Sequence, residues 1–165
     1  MGDKELFHSR SKELGYSLEI NSFSNINDIN EKVGFLEIIK CHDISSGTLN
    51  PTNSEYVIEN LDFAIDTCVK KMGFGLVTGP ISKENIIEGG YSFSGHTERI
   101  MQKTNSDNVL MLLASERLKV ALATTHMPIS KVPESITKEL IFNKVKILNQ
   151  EPVSYTHLRA HETLL

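Results

Sequence analysis

Apolar residues recur at Val57, Ile58, Leu61, Ala64, Ile65, Cys68, Val69 and Met72, the spacing that lines one face of a helix. Asn50-Pro51-Thr52-Asn53-Ser54 opens this stretch and Gly73 ends it, so the strongest helix of the chain is predicted there. A helix is also predicted over residues 4–14, ended by Gly15. Another covers 136–148, burying Ile136, Leu140, Ile141, Val145 and Leu148. Two shorter helices are expected at 82–88, capped by Ser82 and stopped by Gly89-Gly90, and at 97–103.

Candidate strands occupy 16–20 and 35–39, separated by a polar, Asn-rich connection, and 74–77, a short buried run. Residues 109–114 and 118–123 are continuous apolar runs, as in central strands covered on both faces. Only Ser115-Glu116-Arg117 joins these two, which suits a hairpin and leaves no room for a crossover helix. The whole pattern predicts an α/β fold with an open, mixed sheet flanked by helices.

The 165 residues suffice for one domain with a core. Hydrophobic content of 39% and charged content of 23% are those of a soluble globular protein. A net charge of −4 without a basic face argues against nucleic-acid binding. No apolar run approaches the roughly 20 residues that cross a bilayer. Cys41 and Cys68 have no metal-type spacing and no secretory signal precedes them, so reduced thiols and a cytoplasmic location are expected. Residues 151–165 neither continue the last helix nor build a new element. They look like adapter-derived sequence, so 1–150 is read as the native part and 151–165 as a non-native tail. The His157 and His161 pair in that tail is set aside with it.

Chemistry concentrates in three blocks close to strand-like runs, where open α/β sheets hold their ligands. In the first, Gly79 and Pro80 turn the chain and Lys83 adds a positive charge at a helix start, a combination suited to phosphate or carboxylate. The same spacing also fits a plain turn with a solvated lysine. It is neither a P-loop nor a dinucleotide fingerprint. In the second, His96 and Thr97 precede a helix and can donate to an anion, or Thr97 is simply the cap. In the third, His126 stands at a strand end, placed to bind a metal or move a proton, and no second or third ligand is evident beside it.

Together these blocks resemble the 4-hydroxythreonine-4-phosphate dehydrogenase family of vitamin B6 biosynthesis. The resemblance lies in Leu76-Val77-Thr78-Gly79-Pro80-Ile81-Ser82-Lys83, in residues 90–98, in Met111-Leu112-Leu113-Ala114 and in residues 120–132. Met1-Gly2-Asp3-Lys4-Glu5-Leu6 also looks like a family segment. It implies an isocitrate-dehydrogenase-like α/β architecture, here incomplete. It implies a homodimer with a shared active site, NAD, and a divalent metal (zinc, magnesium or cobalt). The reaction implied is oxidation of a phosphorylated hydroxy amino acid followed by decarboxylation. Carried onto this chain, His96 and Thr97 would bind substrate and His126 would be one of three histidine metal ligands. To these we add Lys83 as a catalytic contact to substrate or cofactor. The family's glycine-rich N-terminal segment and everything beyond residue 148 or so are absent, so the chain is expected to be an interior fragment, inactive alone. Alternatives are a paralogue acting on threonate or erythronate 4-phosphate, a non-catalytic module that binds a phosphorylated metabolite, and a chain that does not fold.

Overall fold

The computed structural model describes residues 1–29, 33–70, 75–106 and 108–150. Contacts divide the chain into two compact units, one spanning Met1–Asn105 and the other beginning at Ser106.

The first unit opens with α1 (Lys4–Glu13), one residue short of the expectation. Its start is fixed by Asp3, whose Oδ1 accepts from the Leu6 amide at 3.0 Å. The other oxygen of Asp3 accepts from the Cys41 amide at 3.1 Å and from its Sγ at 3.2 Å. The Asp3 amide donates to Tyr56 Oη at 2.9 Å. One buried residue thus ties the start of the chain to two later segments, through its carboxylate to Cys41 and through its amide to Tyr56. The carboxylate is held below the ordinary carboxylate range chiefly by the Leu6 amide, with the Cys41 donors adding to the effect against the opposing pull of burial.

The expected strand at 16–20 does not form. Residues 16–19 are exposed, and pairing begins only at β1 (Ser22–Phe23). It runs parallel to β2 (Phe35–Leu36), with Ser22 opposite Phe35 and Phe23 opposite Leu36. The second strand stops short of residue 39 because its partner is only two residues long. Beyond it the start of the chain supplies donors, Gly2 to the Leu36 carbonyl at 3.2 Å and Lys4 to Glu37 Oε2 at 3.2 Å.

Helix α2 (Ser54–Lys70) follows a turn of 3-10 helix at Pro51–Asn53. Ile58, Leu61, Ala64 and Ile65 are buried as their spacing predicts, whereas Val69 is 59% exposed because the face has rotated away from the core by the last turn. Met72, Gly73 and Phe74 lie outside the described residues. Ile86 of α3 (Lys83–Glu88) and Phe93 close on Ile58, Leu61 and Ile65, and Ile100 of α4 (His96–Thr104) packs at the edge. Each such side chain contributes about 1.5–3 kcal/mol by leaving water.

Several polar groups around this core are paired across the chain. Ser54, fully buried, donates to the Asn85 carbonyl at 3.0 Å, and Asn85 Nδ2 donates to the Asn50 carbonyl at 3.2 Å. A Cβ on Gly89 would strike the Ser54 side chain and come within 2.6 Å of the Pro51 carbonyl oxygen. The end of α3 therefore sits directly on the start of α2. Between α2 and α4, Arg99 grips Asp62 with two bonds, of 2.7 and 2.5 Å, and Lys103 reaches Asp66 at 3.2 Å.

Of the strand expected over 74–77, the described part forms no strand. Residues 75–77 have no regular structure and Val77 is 95% exposed. No neighbouring strand among the described residues offers it a ladder, and an isolated extended segment has no hydrogen bonds to hold it.

In the second unit β3 (Leu112–Ala114) and β4 (Lys119–Ala121) form the expected hairpin, antiparallel, with Leu113 opposite Val120. Ser115 closes the turn, its amide donating to the Leu118 carbonyl at 2.8 Å. These are not covered central strands: Leu113 is 58% and Leu118 65% exposed, since a two-stranded ribbon has too little around it to bury either face. Helix α5 (Val132–Ser135) ends at Ile136, and α6 (Lys138–Gln150) follows. Lys144 on α6 donates to the Val109 carbonyl at 2.5 Å. The face expected to be buried on α6 is only partly so, with Ile141 at 41% and Val145 at 57% exposure.

Helices and strands both occur, as an α/β chain requires. In place of one mixed sheet, the described residues hold a parallel pair in the first unit and an antiparallel pair in the second. No helix among them is long and apolar enough to cross a membrane.

Candidate functional site

In the first block Thr78, Gly79 and Pro80 are exposed. With Tyr56 and Asn60 of α2 they line an open cleft of about 400 Å³. Helix α3 starts at Lys83, and Ser82 caps it as predicted, its Oγ accepting from the Asn85 amide at 3.3 Å. The α3 terminus therefore already has an acceptor of its own, and an anion is better served elsewhere.

That other place is the start of α4. Gly95 is its N-cap and carries no side chain to cap it, so the first amides point outward with the positive end of the helix dipole. Gly95 has φ +152°, a conformation that side chains rarely adopt. A Cβ there would lie 2.8 Å from Glu98 Oε2 and 3.3 Å from Lys83 Nζ. The ammonium of the first block is thus delivered to the start of the second.

His96 is the first residue of α4 and Thr97 the second. Thr97 is therefore not the cap. The His96 ring stands edge-on to Phe93, with centroids 6.0 Å apart and planes at 77°. Its Nε2 is buried and has no hydrogen-bond partner among the described residues. Leaving a polar atom so is costly unless something else satisfies it. An imidazole, a hydroxyl, uncapped helix amides, an ammonium and the Glu98 carboxylate thus stand at one helix start, groups able to hydrogen-bond or pair with a charged ligand.

His126 belongs to the second unit, between β4 and a 3-10 turn at Ile129–Lys131. It is exposed and holds a left-handed φ of +56°, which costs a non-glycine residue about 1–2 kcal/mol. Among the described residues no group of three or more His, Cys, Asp or Glu gathers to hold a metal. The structure thus brings Lys83 to the neighbourhood of His96 and Thr97, within the first unit. Sequence reasoning overlooked Glu98. Its position three residues after a helix cap is the one from which a carboxylate reaches back to the helix start, and that signal was present in Gly95-His96-Thr97-Glu98.

Residues 1–162 match the family described as pyridoxal phosphate biosynthetic protein PdxA. The chain is similar to the 4-hydroxythreonine-4-phosphate dehydrogenase of Sodalis glossinidius, with 37% identity over 150 residues, 88% of this chain and 46% of that protein. To the enzyme of the same name from Serratia proteamaculans it is 35% identical over 153 residues, again 46% of the relative and 90% of this chain. In three dimensions it matches the crystal structure of a 4-hydroxythreonine-4-phosphate dehydrogenase from Burkholderia phymatum. The TM-score is 0.76 at 22% identity, over 88% of this chain and 45% of the other, a shared fold. The chain thus spans about half the length of the curated relatives it matches. Over that span its blocks, its fold and its family match agree, and the chain belongs to the PdxA family of pyridoxal phosphate biosynthetic proteins.

Proposed function

We propose that this chain carries the substrate-binding part of an NAD-dependent and divalent-metal-dependent dehydrogenase of 4-hydroxythreonine 4-phosphate. In its full length that enzyme is a cytoplasmic homodimer with an isocitrate-dehydrogenase-like fold and an active site shared between subunits. In this reading residues 1–150 form its central part and 151–165 are foreign to it. The observation that carries the reading is the convergence of Lys83 on the uncapped start of α4, where His96 and Thr97 stand, in a chain that matches the family over residues 1–162.

The proposed substrate carries a phosphate and a carboxylate. Lys83 and the α4 amides meet such charges, and hydrogen bonds to charged groups in a partly desolvated site contribute more than neutral ones. Thr97 and His96 fix the orientation of the molecule. His126 is one donor where a catalytic metal normally takes three, so the described residues do not by themselves fit a metal site, and no dinucleotide fingerprint is present. The metal and hydride steps accordingly lie beyond what these residues perform.

Calorimetric titration of the chain with 4-hydroxythreonine 4-phosphate tests the assignment. Binding should weaken about tenfold or more in each of His96→Ala, Thr97→Ala and Lys83→Ala. Unchanged affinity in all three would remove the site from the start of α4.

A further inference from the structure

Two opposite charges, Lys83 and Glu98, converge on one glycine without pairing. A single point above Gly95 lies 2.8 Å from Glu98 Oε2 and 3.3 Å from Lys83 Nζ. Neither side chain makes an ion pair or hydrogen bond among the described residues, in contrast to Arg99 and Lys103 of α4, which pair with Asp62 and Asp66 of α2. Glu98 also borders a recess of about 280 Å³, together with the hydroxyl-bearing Ser92 and Ser94. A carboxylate beside an uncapped helix start is unfavourable to a purely anionic ligand, since like charges repel at short range. It favours a ligand that brings its own positive charge.

We infer that Glu98 is a specificity-determining residue that receives the ammonium group of a phosphorylated amino acid, while Lys83 receives an anionic group of the same molecule. This selectivity rests on the substrate reading above and deepens it. A zwitterionic ligand satisfies both side chains. A sugar-acid phosphate with a hydroxyl in place of the ammonium leaves the carboxylate unpaired and facing added negative charge, a repulsive element of the kind that discriminates between otherwise similar ligands.

The test compares 4-hydroxythreonine 4-phosphate with threonate 4-phosphate of matching stereochemistry, each titrated calorimetrically into the whole chain and its Glu98→Gln variant. Glutamine is nearly isosteric with glutamate, and the start of α4 has no side-chain cap bond to lose, so the substitution removes the charge and keeps the helix start; an unchanged thermal midpoint checks this. The unsubstituted chain is expected to bind the amino acid about tenfold more tightly. Glu98→Gln should abolish that preference, weakening the amino acid and relieving the repulsion on the sugar acid. Equal weakening of both ligands, or a preference that survives the substitution, overturns the role of Glu98. A preference of the unsubstituted chain for threonate 4-phosphate overturns it as well, and favours the sugar-acid paralogue. If the unsubstituted chain binds neither ligand, the substrate reading itself fails and the selectivity falls with it.

Discussion

At Gly95 the backbone and the space above it make the same demand, because φ is +152° and a methyl group would displace Glu98 and Lys83. Gly95→Ala is expected to cost about 1–2 kcal/mol in backbone strain and to weaken ligand binding, measurable by thermal unfolding and titration. At Gly89 the backbone is ordinary, with φ −73°, so only crowding acts. Gly89→Ala should lower stability by about 1–3 kcal/mol through overpacking against Ser54. Asp3 adds a pH dependence. Its folded carboxyl titrates lower than it would in the unfolded chain, so its stabilisation is complete above the ordinary carboxylate range. That stabilisation is lost as pH falls through the depressed folded value, and Asp3→Asn should flatten this part of the acid denaturation curve. Glycine punctuation and the Ser82 cap were legible in the sequence because they act locally. The crowding at Gly89 was not, since Ser54 and Pro51 stand more than thirty residues away along the chain.

Helices were read more accurately than strands, and the reason is where each finds its hydrogen bonds. A helix such as α2 satisfies its own backbone, so Ile58, Leu61 and Ile65 announce it through spacing alone. The runs at 74–77, 109–114 and 118–123 depend on neighbours, and where the described residues supply none, or only one, they shorten and lie exposed. Pairing between elements was equally hidden. Asp62 and Asp66 on α2 face Arg99 and Lys103 on α4 at matching four-residue steps, yet nothing local reveals the match. Arg99 and Asp62 are mostly buried and bonded in the two-pronged manner that only arginine offers. Arg99→Lys should therefore destabilise the chain by about 1–2 kcal/mol. A double-mutant cycle with Asp62→Asn is expected to return a coupling of at least about 0.5 kcal/mol; a coupling near zero would show the pair to be inert.

For the whole molecule, the family could be read from block order, as could His96 and Thr97, which the structure sets at one helix start, whereas the metal site could not be completed. His126 is exposed and no metal-binding group forms among the described residues. The chain as it stands should produce no NADH from 4-hydroxythreonine 4-phosphate with NAD and a divalent metal, followed by absorbance; detectable turnover would contradict the proposed division of labour.

The hold of Asp3 on Cys41 has a practical consequence. Burial, and then the neighbouring carboxylate, push the thiol up to about 11, so at neutral pH only about one molecule in ten thousand presents the reactive thiolate. Alkylation of Cys41 then proceeds mainly when the start of the chain lets go of Tyr56 and the Cys41 segment. The labelling rate becomes a clock for that local opening, readable by mass spectrometry in a mixture, and Asp3→Asn should make it run faster.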